Sequence, residues 1–233
     1  MAQYFHDRTE AGRLLAKKLV AYANRGDVLV LALPRGGVPV AFEVAKALQA
    51  PLDVFLVRKL GVPGHEELAM GAIASGGMIV RNDEVIAGLG VPSSVFETVV
   101  AQEQQELEWQ EHLYRGDQPL PDLHDCTTIL VDDGLPTGAT MRAAVAAMHQ
   151  YHPAHSVVAV PIAAPNTCEA LRADVDEVIC ALTPEPFYAV GLWYEHFSQT
   201  TDDEVRDLLA QAKRPRLQEQ TSQAEDASEQ RRA

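Results

Sequence analysis

The chain has 233 residues, 47% of them hydrophobic, and a formal charge of −14 from 33 acidic and 19 basic side chains. That length suits one α/β domain with a substantial core and is short for two. The acidic balance argues against a nucleic-acid polymer as partner, because such binding needs basic surface to displace counterions. A small anionic ligand stays compatible with it where local N–H groups, arginines and a metal offset the field.

No apolar run approaches the roughly 18 residues of a membrane helix, and the N-terminus lacks the basic-then-apolar order of a signal peptide. A cytoplasmic protein without a membrane partner is therefore expected. Cys126, Cys168 and Cys180 have no metal-ligand spacing and lie in or near apolar segments, which predicts buried thiols in a reducing compartment.

In chain order, Asp7 and Glu10 have capping-box spacing, and Leu14, Leu15, Leu19 and Tyr22 recur on one helical face. Asn24-Arg25-Gly26 stops that helix. Residues 28–33 form an apolar run of strand length, followed by Pro34-Arg35-Gly36-Gly37 and a helix over about 39–48. The next strand, 52–57, ends in Arg58-Lys59. Strand, helix, strand of this length is a βαβ unit with parallel pairing and a right-handed crossover.

Residues 60–68 show no clear period and read as a long mobile loop holding His65, Glu66 and Glu67. Segments 71–74 and 78–81 flank Ser75-Gly76-Gly77, a hairpin turn. Ser94 and Glu97 open a long helix reaching about Tyr114, with a charged, solvated middle; residues 119–125 link it to the next strand. That strand, 127–131, leads through a Gly- and Thr-rich loop into a helix over 141–148. Strands at 156–160 and 178–182 follow, joined by a short helix over 166–172. The aromatic-rich stretch 187–197 comes next, and Thr201 and Glu204 cap a final helix ending near Ala212.

The reading is an α/β fold: an open parallel five-stranded sheet with helices on both faces, a flexible hairpin loop and a small C-terminal hood at about 183–200. Residues 1–212 form one domain. Residues 213–233 form a disordered tail, since nothing larger than alanine among the apolar residues follows Gln218.

The chemistry gathers at three strand ends. Ligands of open α/β sheets bind beyond the carboxyl ends of the strands. The loops Pro34-Arg35-Gly36-Gly37, Arg58-Lys59 and Asp132-Asp133-Gly134-Leu135-Pro136-Thr137-Gly138-Ala139-Thr140 all open on that edge if the strands are parallel. In the last of these, free N–H groups at a helix start offer a phosphate seat at Thr137, Gly138, Ala139 and Thr140. Beside it, Asp132 and Asp133 can accept hydrogen bonds from vicinal hydroxyls or hold a hydrated magnesium ion. A phosphate seat next to a diol acceptor suggests a ribose 5-phosphate ligand.

The run Val131-Asp132-Asp133-Gly134 with Thr137-Gly138-Ala139-Thr140 resembles the ribose-phosphate signature of the type I phosphoribosyltransferases. The resemblance implies magnesium-dependent transfer of a 5-phosphoribosyl group from phosphoribosyl pyrophosphate to a nitrogen acceptor, a nucleobase. It assigns Arg35, Gly36, Gly37, Arg58 and Lys59 to pyrophosphate, with a non-prolyl cis peptide at Arg35-Gly36. Asp132, Asp133 and Arg35 become the catalytic set, with Asp132 and Asp133 meeting the metal directly or through water. It also implies that the 60–77 excursion closes over the site, and that Phe187, Trp193 or Tyr194 stacks on the base. A homodimer is compatible with it.

One position departs from the pattern. Where the purine-salvage branch commonly has an aspartate before Thr-Gly, this chain has Pro136, which neither accepts a proton nor donates N–H. Two other readings stay open beside transfer: a non-catalytic regulator that binds phosphoribosyl pyrophosphate or a nucleotide, and a metal-dependent hydrolase of nucleotides or sugar phosphates.

Overall fold

The computed structural model describes residues 4–213, without the side chains of Glu66 and Glu67. Helix α1 (Arg8–Lys18) starts at Asp7, whose carboxylate accepts the N–H of Glu10 at 2.8 Å. Strand β1 (Val28–Ala32) and helix α2 (Gly37–Leu48) follow, then β2 (Leu52–Val54). Strands β3 (Val57–Val62), β4 (His65–Ala74) and β5 (Met78–Arg81) lead to helices α3 (Asp83–Leu89) and α4 (Ser93–Arg115). The chain then returns through β6 (Thr127–Val131), α5 (Ala139–His149), β7 (His155–Ile162), α6 (Pro165–Leu171) and β8 (Glu177–Leu182).

Residues 202–213 are helical to the limit of the described residues. This C-terminal helix has a reciprocal capping box: Glu204 N–H donates to Thr201 Oγ1, and Thr201 N–H donates to Glu204 Oε2. Lys213 still belongs to it; the rest of the predicted tail lies outside the described residues.

Five strands form one parallel sheet in the order β2-β1-β6-β7-β8. All five residues of β1 and of β6 are buried, the continuous apolar signature of strands covered on both faces. Alternation divides them between two cores. Val28, Val30 and Ala32 pack with α1, α2 and the C-terminal helix, while Leu29, Leu31 and Leu33 pack with α5 and α6. The five-stranded doubly covered sheet is thus the predicted one.

Two expectations are corrected. The predicted strand 52–57 is two strands in two sheets. After Val54 the chain leaves the parallel sheet, and β3, β4 and β5 make an antiparallel sheet of their own. Residues 60–68, expected as a loop without period, are mostly paired strand: Gly61 sits at a register shift within β3, and Gly64, with φ +80°, makes the β3–β4 turn. The second correction concerns sulfur. Cys168 on α6 and Cys180 on β8 form a disulfide with Cα atoms 6.7 Å apart, and Cys126 alone is a free, half-buried thiol.

Candidate active site

The parallel sheet sends the ends of β1, β2 and β6 to one edge, and three predicted loops meet there. A cleft of about 330 Å³ is lined by Leu33 to Arg35 after β1, Phe55 to Arg58 after β2, and Thr140 in the first turn of α5. Its far wall is Trp109, Gln110 and Tyr114 of α4 with Asp202 of the C-terminal helix. Arg35, Arg58 and Thr140, separated widely in sequence, share one cavity.

Gly36 and Gly37 explain how the first and third loops approach so closely. A Cβ on Gly36 would stand 2.1 Å from Asp133 Oδ2, and one on Gly37 would stand 2.7 Å from the carbonyl oxygen of Val131. These glycines make room for the aspartate turn rather than for chain reversal, since Gly36 has right-handed helical φ and ψ. The Gly37 amide donates to Leu33 O at 3.1 Å, so it is engaged within the protein. The non-prolyl cis peptide lies between Pro34 and Arg35, one bond earlier than the resemblance implied.

Asp132 and Asp133 close β6. Asp133 N–H donates to Asp132 Oδ1 at 2.8 Å, and Arg8 of α1 donates from Nε to Asp133 Oδ2 at 2.8 Å. That ion pair is largely buried, with side chains 12% and 15% exposed. Arg8 also donates to Ser198 O at 2.7 Å and lies 4.0 Å above the Phe197 ring. Burial, and next the adjoining charge of Asp133, push the Asp132 carboxyl well above the ordinary carboxylate range. Burial raises Asp133 too, against the opposing pull of Arg8. Tyr194 completes the support by donating its hydroxyl to Asp133 O at 2.6 Å.

Thr137, Gly138, Ala139 and Thr140 form the turn into α5. Gly138 sits at the N-cap with φ +74°, and no side chain caps the helix, so its first-turn amides point toward the loop. Thr167 of α6 buttresses the turn: its hydroxyl donates to Pro136 O at 3.0 Å, and its methyl would be 2.8 Å from a Cβ on Gly138.

Other predicted residues fall differently. Lys59 is on β3, where alternation turns it from the face that Arg58 offers to the cleft. Tyr194 is buried, with tilted ring contacts to Phe5 and Phe197 at centroid distances of 5.3 and 5.0 Å, so little of its ring is open to a base. Trp193 stacks on Tyr4 at 5.5 Å, and Phe187 packs against the small apolar cluster that includes Phe5, Ile162 and Tyr194. The residues that sequence reasoning missed are Arg8, Trp109, Tyr114, Thr167 and Asp202. No short motif marks any of them, and Arg8 lies 125 positions from its partner.

At one edge of the parallel sheet the chain gathers an uncapped helix start, a buried acidic pair and two arginines. The phosphoribosyl transferase domain family matches residues 3–191, and the chain belongs to that family. It is 46% identical over 211 residues to two Mycobacterium tuberculosis proteins, of strains CDC 1551 and H37Rv, each named "Putative phosphoribosyl transferase". The match covers 90% of this chain and 47% of theirs, so the chain spans about half the length of these curated relatives. Among solved structures, TT1426 from Thermus thermophilus superposes with a TM-score of 0.80 at 40% identity, over 89% of this chain and 98% of that one.

Proposed function

We propose that the chain catalyses transfer of the 5-phosphoribosyl group from phosphoribosyl pyrophosphate to a nitrogen acceptor, a nucleobase, in the cytoplasm. The observation that carries this reading is the convergence of Arg35, Arg58 and Thr140 on one cleft, with Asp132 and Asp133 packed against the Arg35 loop. The first turn of α5 takes the 5-phosphate through its amides and the hydroxyls of Thr137 and Thr140. Asp132 and Asp133 accept the ribose hydroxyls. Arg35 and Arg58 take the pyrophosphate, whose oxygen groups suit guanidinium forks. Positioning and electrostatics then supply most of the acceleration.

Magnesium fits this donor set as a ligand-bridged ion. Among the described residues, no group of three or more His, Cys, Asp or Glu side chains gathers into a protein cage. Two adjoining carboxylates, one already held by Arg8, suit an ion that takes its other ligands from phosphate and water. Asp132, directly or through water, would hold it, and the bound metal would neutralise charge on the departing pyrophosphate. Phe187 and Trp193 are the remaining candidates to cover the base.

A second reading, a regulator that binds the same ligand without transfer, is favoured by Pro136, which leaves no acidic group before Thr137. One experiment separates the two: incubate the protein with phosphoribosyl pyrophosphate, magnesium and a panel of purine and pyrimidine bases, and measure released pyrophosphate. Release dependent on one base supports transfer. Calorimetric binding of phosphoribosyl pyrophosphate without release across the panel supports the regulator. Free phosphate generated from nucleotides instead points to a hydrolase.

A further inference from the structure

The two arginines of the cleft already hold carboxylates, and neither carboxylate comes from the edge of the parallel sheet. Arg58 Nε meets Glu103 Oε2 of α4 at 2.5 Å, with both side chains 27% exposed. Arg35 Nη1 lies 3.7 Å from Asp202 Oδ2 of the C-terminal helix, both about two-fifths exposed. Asp202 is itself held: its Oδ1 accepts the hydroxyl of Tyr114 at 2.5 Å. Tyr114 is buried, and burial, then this hydrogen bond, raise its pKa, so it stays a proton donor to Asp202. One oxygen of Asp202 is thus anchored while the other faces Arg35.

These pairs differ from the neighbouring ion pair of Arg115. That guanidinium is buried, donating to Asp53 Oδ1, Glu111 Oε1, Val54 O and Ser75 Oγ, and ties α4 to the end of β2 and the base of the β4–β5 turn. It builds the wall. Arg35, Arg58 and Asp202 line the cavity, Glu103 meets Arg58 from α4, and both pairs are partly in solvent, where a stronger anion can replace the carboxylate.

We infer that Glu103 and Asp202 set the affinity of the cleft for diphosphate by acting as built-in competitors for Arg58 and Arg35. The inference rests on reading this cleft as the pyrophosphate end of the site. An arriving diphosphate exchanges two carboxylate contacts for phosphate contacts to the same guanidiniums. When it leaves, the carboxylates return. The exchange holds the arginines in place without a ligand and keeps a multiply charged product from lingering between them. The two acids touch no reacting atom; they act through the arginines.

The test is calorimetric binding of inorganic pyrophosphate to the wild-type chain, Glu103→Gln, Asp202→Asn and the double variant, with dissociation followed by stopped flow. Both replacements are nearly isosteric, and the amide oxygen that Asp202→Asn introduces can still accept from Tyr114, so folding is preserved and is checked by melting. Each single variant is expected to bind pyrophosphate about two- to fivefold tighter, as loss of a partly exposed competing pair implies. The double variant should combine the two factors, with slower dissociation in proportion. Tyr114→Phe, which frees Asp202 from its anchor, should tighten binding by a smaller factor. Equal or weaker binding in well-folded variants overturns the inference and makes the pairs ordinary scaffold, while the pyrophosphate reading stands. Wild-type and double-variant chains that both ignore pyrophosphate, or bind it equally well with Arg35→Ala and Arg58→Ala, overturn that reading as well.

Discussion

The five-stranded sheet carries carboxylates at both ends, and the two ends treat them in opposite ways. At the amino end, Asp27 accepts from Arg25 Nε and Nη2 at 3.1 and 2.6 Å and from Thr127 Oγ1 at 3.1 Å. The Arg25 hydrogen bond leads in holding its carboxyl down, at about 2. Asp176 accepts the amide and hydroxyl of Ser156 at 2.7 and 2.6 Å and is lowered too. At the carboxyl end, Asp132 and Asp133 share an Arg8 contact and one internal amide, and both are raised. Exposed carboxylates well supplied with donors belong to the scaffold. A buried pair short of donors costs free energy in the folded chain and makes sense where a ligand brings the missing hydroxyls or cation.

The largest effect should come from breaking the donor-poor end. Asp132→Asn with Asp133→Asn is expected to lower phosphoribosyl pyrophosphate affinity about a hundredfold or more, since two charge-assisted contacts are lost. The fold should be retained, because relief of the buried like charges offsets part of the cost of the lost Arg8 pair. Asp27→Asn, at the opposite end, should leave the affinity where it was. Calorimetry on the two variants decides the matter; undiminished affinity in the double variant would remove the acidic pair from the site.

Glycines sharpen the same contrast with a smaller effect. An alanine at Gly36 places a methyl 2.1 Å from Asp133 Oδ2 and 3.4 Å from Arg8 Nε, so the ion pair between them must shift. Gly36→Ala is expected to cost roughly 1–3 kcal/mol, as overpacking of a close contact does, and to reduce pyrophosphate release. Gly26, just before β1, has nothing within 4 Å of a Cβ and no positive φ. Gly26→Ala should be neutral, or stabilise by about 0.4–1 kcal/mol through the unfolded state. Equal denaturation midpoints for the two variants would mean that the Gly36 contact tolerates a methyl and constrains nothing.

The parallel sheet was legible because its strands are buried on both faces. Residues 28–32 and 127–131 are unbroken β-branched and aliphatic runs, and their junctions carry Gly, Asp and Thr in recognisable order. The turn into α5 was readable for the same reason: the sequence marks where backbone must be bare, and Gly138 takes a positive φ there. The second sheet was less legible. Gly61, Pro63 and Gly64 look like loop residues, yet Gly61 is a register irregularity inside β3 and only Pro63 and Gly64 form the turn, since cross-strand pairing with residues 65–74 overrides local preference. Least legible were Arg8, Trp109, Tyr114 and Asp202, which reach the site from helices whose own patterns concern packing. A side chain at a helix start meets Asp133 only because α1 lies against that face of the sheet, and no local spacing encodes such a contact.

The smallest effect is a difference in pH slope between the two ends. Asp27 has a folded pKa of about 2 against an ordinary 3.8. Its contribution to stability is therefore present above pH 3.8 and is lost as pH falls toward 2. Asp132 has the opposite sign: its folded pKa is raised, so its contribution is present below 3.8 and is lost as pH rises through the raised value. In melting curves recorded from about pH 2 to 8, Asp27→Asn should flatten the acid limb alone, and modestly, because its ion pair is exposed. Asp132→Asn should instead flatten the decline on the side above pH 3.8, so that the variant gains on the wild-type chain as pH rises. If both substitutions altered the same limb, the two ends would not differ in how they hold charge, and the case for a ligand-dependent pair at the carboxyl end would lose its electrostatic half.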